Sequence, residues 1–161
     1  MKDNHNIVHR MAASPFRMKL FMMKHMPMGW IAGLKIVSFD ESKAQVSVRY
    51  KFLNKNPFRS VYFAVLSMAA ELSSGILALS ATHNANVPVS MLVLKMKADF
   101  LKKARTSIVF TCDDGKKIDE MVARSIETGE GQTVEVSSTG VDAAGDKVAE
   151  FTFTWTFKPK G

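Results

Sequence analysis

The sequence has few of the residues that build metal centres, disulfides or nucleotide-binding loops. Cys112 is its only cysteine, so no intrachain disulfide can form, and we expect a reducing cytoplasm as its location. The four histidines are scattered with no metal-site spacing. P-loop, dinucleotide and nucleophile-elbow sequences are absent, as is the uninterrupted N-terminal apolar run of a signal peptide. These absences predict a protein without a metal or a bound cofactor.

Acidic residues are also scarce, since the sequence has 15 of them and 22 basic residues. The net charge of +7 favours an anionic partner, such as nucleic acid, an acidic lipid surface or a phosphate-bearing cofactor. Nucleic acid is the weakest of these, because the aromatic residues at 151–157 alternate as if they faced a core. With 47% apolar and 23% charged residues among 161, the chain suits one globular domain.

A single formal charge, Glu71, interrupts a long apolar stretch at residues 60–82. A helix built from this stretch has to be buried on nearly every side. The side chains nearest to Glu71 on such a helix are small, namely Ala64, Ser67, Ser74, Gly75 and Ala78. A membrane span and a purely structural glutamate are the alternatives. Because the charge lies near the middle of the stretch and its burial is costly, we favour a soluble helix with a functional carboxylate.

Alternation of apolar and polar residues predicts an antiparallel sheet of five or six strands. The strands are placed at residues 34–39, 44–50, 87–100, 106–112, 133–141 and 147–157. Helices are predicted at residues 14–26, 60–82 and 114–128, and the methionine-rich first one is either core or a flexible wall for an acyl chain. The strands need a cover, which the 60–82 helix can provide. We therefore predict an α+β fold with a sheet wrapped around one long helix, a flexible segment at residues 1–13 and a single domain at residues 14–161.

The loop before the long helix has the most specific pattern in the chain. It reads Asn56-Pro-Phe-Arg-Ser-Val-Tyr-Phe-Ala64, and Glu71 follows. This pattern resembles the hotdog-fold thioesterases, in many of which an asparagine loop enters the central helix through His-Gly-Gly and an acid follows. Asn56 matches the asparagine and Glu71 the acid, whereas Tyr62 replaces the histidine and Phe63-Ala64 replaces Gly-Gly. The resemblance covers about residues 30–158, and the inserted helix at 114–128 suggests an uncharacterised branch related to the phenylacetate-degradation-type acyl-CoA thioesterases.

The resemblance implies a hotdog fold and a thioesterase with Glu71 and Asn56 as catalytic residues. Backbone N–H groups of Phe63 and Ala64, with the helix dipole, are expected to stabilise the oxyanion. Glu71 is expected to act as general base on water or as the nucleophile. Further contacts to the substrate are expected from Tyr62, Ser67 and Ser74.

The resemblance also implies an acyl-CoA or acyl-carrier thioester as substrate and a homodimer, or a tetramer of two such dimers, with the site between subunits. Lys102, Lys103 and Arg105 are the candidate ligands for the phosphates of coenzyme A, unless they form only a solvated strand and turn. Coenzyme A enters as part of the substrate, and neither nucleic acid nor a membrane span is expected. The alternative function is a non-catalytic hotdog protein that binds an acyl chain or a lipid. A hotdog hydratase would need the missing histidine.

Overall fold

The computed structural model describes residues 7–12 and 14–161 of the chain. Its six strands are β1 (Lys35–Phe39), β2 (Ala44–Val48), β3 (Val89–Phe100), β4 (Ile108–Cys112), β5 (Gln132–Val141) and β6 (Lys147–Pro159). The α-helices within the described residues are α1 (Ile7–Ala12), α2 (Pro15–His25), α3 (Pro27–Ala32), α4 (Phe63–Asn84) and α5 (Gly115–Thr128). A short 3-10 helix, Phe52–Asn54, precedes α4.

The strands form one antiparallel sheet in the order β1-β2-β4-β5-β6-β3. Helix α4 packs against β2, β3, β4, β5 and β6, so the sheet curves around it. This arrangement confirms the predicted α+β fold with one central helix. Among the described residues, α4 is also the one helix long and apolar enough to cross a membrane by length and composition, but most of it is buried inside the protein.

Alternation along β6 fixes which face of the sheet meets α4. Phe151, Phe153, Trp155 and Phe157 are all buried, and the threonines between them are half-buried on the other face. Two hydrogen bonds join the helix to the sheet beneath it. The hydroxyls of Ser73 and Ser138 lie 2.7 Å apart, and Trp155 Nε1 donates to Ser74 Oγ over 3.1 Å.

The helix predicted at residues 14–26 is present as α2, and a further helix that was not predicted follows it. Helix α2 ends at His25, and Pro27 begins the next helix, α3, because proline is tolerated in the first turn, where its missing N–H has no intrahelical partner. The flexible segment predicted at residues 1–13 lies partly outside the described residues. Within it, Ile7–Ala12 is helical, and its Val8 is buried.

Helices α1 and α3 pack on α4, and buried methionines of α2 join the same core cluster. Helix α5 covers a further part of α4. The central helix is therefore covered by other helices as well as by the sheet. Its apolar composition alone therefore does not require a partner subunit.

Strand β3 forms one edge of the sheet and exposes large apolar side chains. It pairs with β6 on one side only. Met96 and Phe100 stand opposite core residues of β6, yet they are 47% and 49% exposed. Leu92, Leu94 and Leu101 are also exposed. An edge strand of this length with apolar side chains offers a template for pairing with another chain.

Candidate active site

The start of helix α4 is held by main-chain bonds from two directions. The N–H of Tyr62 donates to the carbonyl of Asn54 over 2.7 Å, and the N–H of Val61 donates to the carbonyl of Ala104 over 2.7 Å. The helix therefore begins at Phe63, three residues later than predicted, because Val61 and Tyr62 are committed to neighbouring segments. Its first turn is fixed to the loops on both sides.

The loop before α4 is a tight turn closed by Asn56. Its side-chain Oδ1 accepts hydrogen bonds from the N–H groups of Phe58 and Ser60 and from the Ser60 hydroxyl, at 3.0, 3.2 and 3.1 Å. Arg59 within this turn has a φ of 57°, in the left-handed region that few non-glycine residues adopt. The Asn56 oxygen thus shapes the loop. Its amide Nδ2 has no hydrogen-bond partner among the described residues and is the part of Asn56 that can meet a ligand.

Two backbone donors at the start of α4 have no acceptor. The N–H groups of Phe63 and Ala64 make no hydrogen bond within the described residues, whereas the N–H of Val65 already bonds to the carbonyl of Tyr62 at 2.9 Å. The N-cap residue Tyr62 makes no side-chain capping hydrogen bond to this end of the helix within the described part of the chain. Free N–H groups and the positive end of the helix dipole attract negative charge. The two N–H groups that were predicted to stabilise an oxyanion are therefore unbonded among the described residues, and their role stays a prediction.

A cavity of about 370 Å³, here called the helix-end cavity, opens at the start of α4. It brings Asn56, Phe63, Lys102 and Lys103 together, and its wall is completed by Phe58, Ser60, Val61, Leu66, Phe100, Leu101 and Ala104. Phe63 is 53% exposed, and its ring packs edge-on against Phe100 at 6.2 Å between centroids. The lining of the cavity therefore combines an apolar rim with the side chains of two lysines.

The three predicted phosphate ligands have different surroundings. The ammonium group of Lys102 bonds to the carboxylates of Asp142 and Asp146 at 2.7 and 2.6 Å. The bonds from Asp142 and then Asp146 raise the pKa of Lys102, so this lysine stays charged and ties its loop to the β5–β6 turn. Lys103 and Arg105 are exposed and have no carboxylate partner among the described residues. Of these two, Lys103 lines the helix-end cavity.

Glu71 lies in the middle of α4 with its carboxylate in apolar surroundings. No group among the described residues donates a hydrogen bond to this carboxylate, and burial raises its pKa above the usual value of a glutamate. The side chain is folded over its own helix, because a Cβ atom added to Gly75 would lie 2.9 Å from Oε1 of Glu71. An unpaired, desolvated carboxylate is costly to keep and is a frequent mark of a functional site.

Glu71 faces a second cavity of about 220 Å³, here called the Glu71 cavity. Its other lining residues are Val8, Met11, Met18, Phe21, Met22, Met26, Ile36, Leu72, Gly75, Ile76, Leu79 and Met91. Helices α1 and α2 form the side of this cavity opposite α4. The methionine-rich segment predicted as core or as an acyl-chain wall therefore contributes both buried core residues and the wall beside Glu71.

The remaining predicted contact residues are placed differently. The hydroxyl of Ser67 donates to the carbonyl of Phe63 over 2.9 Å, and that of Ser74 donates to the carbonyl of Glu71 over 3.1 Å. Ser74 also accepts the hydrogen bond from Trp155, so its hydroxyl is used within the protein. Tyr62 precedes the first helical residue and is exposed beside Phe63, with 4.9 Å between their ring centroids.

The two halves of the predicted site are separated along α4. Glu71 follows Phe63 by eight residues, which corresponds to about 12 Å along an α-helix. The Glu71 carboxylate also lies toward Gly75, away from the start of the helix. Within one chain, Glu71 and the free N–H groups are therefore too far apart to act on the same carbonyl group.

Asn54 is a buried residue at this site that the sequence did not reveal. Its amide Nδ2 donates to the carbonyls of Ala32 and Arg49, both over 2.9 Å, while its Oδ1 is buried without a partner. Its main-chain carbonyl holds the N–H of Tyr62. Asn54 thus links α3, the end of β2 and the start of α4. No local pattern distinguishes it from an ordinary loop asparagine.

Other chemically reactive groups are not assembled into a site. Within the part of the chain that the structure describes, no three His, Cys, Asp or Glu side chains are grouped as metal ligands. Burial raises the pKa of the Cys112 thiol to about 12, so this thiol stays protonated at neutral pH. The chemistry available at the site is that of the helix end, Asn56, the free lysine and Glu71.

Solved structures resemble this chain over most of its length. A probable thioesterase from Pseudomonas aeruginosa superposes with a TM-score of 0.75 at 18% identity, covering 91% of this chain and 97% of that one. A thioesterase from Haemophilus influenzae gives 0.65 at 12% identity and 91% of both chains. The PaaI protein from the phenylacetic acid degradation operon of Escherichia coli gives 0.61 at 18% identity, covering 87% and 88%. At these identities the likeness shows the fold.

Sequence comparison places the chain in a family. No protein of curated function is similar enough in sequence to be matched. Residues 16–157 match the model of a domain of unknown function, DUF4442. This match agrees with the predicted uncharacterised branch, and the structural neighbours agree with the predicted hotdog fold. The chain therefore belongs to the DUF4442 family and has the hotdog fold.

Proposed function

We propose that this protein is a homodimeric thioesterase that hydrolyses acyl-CoA or an acyl-carrier thioester. Two unpaired groups of opposite character support this function. Among the described residues, the N–H groups of Phe63, which lines the helix-end cavity, and of its neighbour Ala64 have no acceptor. The Glu71 carboxylate has no donor among these residues and lies in an apolar cavity. Thioester hydrolysis provides a partner for both groups. The carbonyl oxygen becomes negative and can accept hydrogen bonds from the N–H groups, and the attacking water can donate a proton to the carboxylate.

The reaction follows from these two groups. The carbonyl oxygen of the thioester accepts hydrogen bonds from Phe63 and Ala64, and water attacks the carbonyl carbon while Glu71 takes its proton. The C–S bond then breaks, and the leaving thiolate takes the proton back from Glu71. The raised pKa of Glu71 suits this exchange, because a general base works best with a pKa near the working pH. Direct attack by Glu71, giving an anhydride that water hydrolyses, uses the same two groups.

A second copy of the chain completes the site. The separation of about 12 Å along α4 requires that Glu71 of one subunit act with the helix end of the other. The edge strand β3 supports the dimer, since it exposes Met96 and Phe100, and Phe100 packs beside Phe63 of the helix-end cavity. Pairing of two β3 edges would cover this apolar rim. A tetramer of two such dimers remains a further prediction.

The coenzyme A part of the substrate is assigned to the helix-end cavity. Lys103 lines this cavity, and both Lys103 and the nearby Arg105 are exposed and have no carboxylate partner among the described residues. Charge-assisted hydrogen bonds to phosphate are among the stronger polar contacts of proteins. Lys102 is a poorer ligand, because two carboxylates already hold it.

Acyl binding without hydrolysis is the second candidate. One observation in its favour is that the half-buried Glu71 shares its cavity with residues of helices α1 and α2 of its own chain. Another is the side chain of Phe63, where two glycines are common in the thioesterases that the chain resembles. Free-thiol release from a panel of acyl-CoA substrates separates the two functions. A thioesterase releases thiol from at least one of them in multiple turnovers, whereas a carrier binds them and releases none.

A further inference from the structure

The Glu71 cavity offers a ligand one polar group and otherwise hydrocarbon and thioether. Among the described residues, Glu71 is its only charged lining residue, and the others are apolar side chains and Gly75. Met11, Met18, Met22 and Met26 come from α1, α2 and the residue that follows α2, so the wall opposite α4 is largely methionine. Methionine side chains are flexible and polarizable and adapt to the shape of an apolar guest.

The cavity is large enough for a guest of several carbon atoms. An apolar cavity of about 150 Å³ accommodates one benzene molecule, so the 220 Å³ found here has room for roughly eight to nine carbon atoms on the same measure. A guest that carries a donor at one end can also satisfy the Glu71 carboxylate. Water alone is a poor occupant, since it needs two to four polar partners and the lining supplies one.

We propose that the Glu71 cavity binds the hydrocarbon part of an acyl group of up to about eight carbons that carries no polar substituent. Only the identification of the guest as an acyl group rests on the proposed function. The site itself is formed by a single chain, because its walls are α1, α2, α4 and the inner faces of β1 and β3. The size limit is set by the methionines of the N-terminal helices.

The absence of polar partners makes the site selective as well as size-limited. A hydroxyl group buried without a hydrogen-bond partner costs considerably more than a methylene in the same place. Apart from Glu71, no described lining side chain can accept or donate a strong hydrogen bond. Acyl groups that carry a hydroxyl along the chain are therefore expected to bind more weakly than unsubstituted acyl groups of the same length.

Neutral n-alcohols test the site without requiring hydrolysis. The series from butanol to dodecanol is titrated into the protein by calorimetry, because an alcohol can donate its O–H to Glu71 and place its chain in the cavity. Affinity should rise about fourfold per methylene and level off near eight or nine carbons. The diol 1,8-octanediol should bind at least tenfold more weakly than 1-octanol. A flat series, or a diol that binds as tightly as octanol, overturns the proposal.

Two methionines of α2 provide a matched pair of variants. Met22 lines the cavity and is buried, whereas Met23 is 44% exposed and does not line it. Met22→Ala should shift the length limit upward by about two to three carbons, and Met23→Ala should leave it unchanged. If Met22→Ala does not fold, Met11→Ala is the alternative, since Met11 lines the cavity and is only half-buried. A limit that stays in place in a folded cavity variant contradicts the assignment.

The binding test and the hydrolysis test can fail separately. If alcohols bind with the expected dependence on chain length but no thioester is hydrolysed, the binding site is supported and the thioesterase function is contradicted. If Met22→Ala does not change the acyl-chain length that is hydrolysed and alcohol affinity does not depend on chain length, the thioesterase function is supported and the binding site is contradicted.

Discussion

Oε1 of Glu71 lies above Gly75, one turn further along α4, so close that a Cβ atom on Gly75 would be 2.9 Å from it. The same Cβ atom would lie 3.6 Å from the ring of Trp155, which is an ordinary contact. Glycine at this position therefore makes space for the Glu71 carboxylate, whereas the packing against Trp155 does not require it. The carboxylate lies at the far end of a flexible side chain and can move when that room is taken.

Gly75→Ala should separate the position of the carboxylate from the stability of the helix. Alanine is favoured over glycine in a helix interior by about 0.5–1 kcal/mol, so the melting temperature should hold or rise. Displacement of the carboxylate by about 1 Å should lower thioester hydrolysis by about 10- to 100-fold. Steady-state rates and thermal melts on one preparation provide the check. Full activity in a stabilised variant would show that the carboxylate position does not matter.

Phe63→Pro tests the oxyanion donor without breaking the helix. Phe63 is the first helical residue, where proline is tolerated, and Tyr62 before it already has the extended conformation that proline requires. The substitution removes the N–H donor and the aromatic ring, whereas the control Phe63→Ala removes the ring alone. Loss of one oxyanion donor should lower kcat by about 10²–10³. Equal rates for the proline and alanine variants would exclude the donor role.

Mixing two inactive variants tests the shared site. In a dimer of Glu71→Gln and Phe63→Pro chains, one site combines the intact Glu71 of one chain with the intact helix end of the other. Random reassociation should therefore restore about one quarter of the wild-type activity. Each variant alone, refolded in the same way, serves as the control. No recovery in mixtures that contain mixed dimers would indicate that each site is built by one chain.

The two adjacent lysines should have different roles. Lys103→Ala removes a free cation from the helix-end cavity and should raise KM for acyl-CoA by about 10-fold or more, while a small thioester without the nucleotide is spared. Lys102→Ala removes the ion pairs with Asp142 and Asp146 and should affect both substrates alike. Kinetics on the two substrates provide the comparison. Equal losses on both substrates for Lys103→Ala would assign that lysine to folding.

The strands and the central helix could be predicted from sequence because their patterns are local. Alternation along β6 identifies Phe151, Phe153, Trp155 and Phe157 as core, and these residues are buried. The helix predicted to stop at Pro27 does end there, at His25, but helix α3, which begins at Pro27, was not predicted, because proline is compatible with the end of one helix and with the start of the next. The later start of α4 depends on the bond between Val61 and Ala104, which no local pattern encodes.

The site could be predicted only in part, since its electrostatics depend on distant segments. The sequence pointed to Glu71 and the helix end, whose roles stay predictions, and the structure brings Asn56, Phe63 and Lys103 to one cavity. It could not show that Lys102 meets Asp142, 40 residues away. Nor could it show that α1 and α2 cover Glu71. Contacts between segments far apart in sequence follow from the topology, which single-residue patterns do not specify.

Glu71→Gln should stabilise the protein in a pH-dependent way. Burial raises the pKa of Glu71 in the folded state, so below the unfolded value of about 4.3 both states are protonated and no penalty exists. As the pH rises through the folded-state pKa, the wild type loses stability, because the charged form is disfavoured in the cavity. The difference in melting temperature between Glu71→Gln and the wild type should therefore grow from pH 4 to pH 7. A variant less stable than the wild type at both pH values would indicate a structural carboxylate.

The rate of acyl-CoA hydrolysis by the wild type and by Glu71→Gln, measured on the same folded preparations, tests the central claim most directly. We predict turnover by the wild type, with an acidic limb above the usual pKa of a glutamate, and a fall of about 10²-fold or more in the variant. Glutamine keeps the shape of the side chain but removes its charge and basicity. A folded Glu71→Gln variant that hydrolyses the thioester at the wild-type rate would contradict the catalytic role of Glu71.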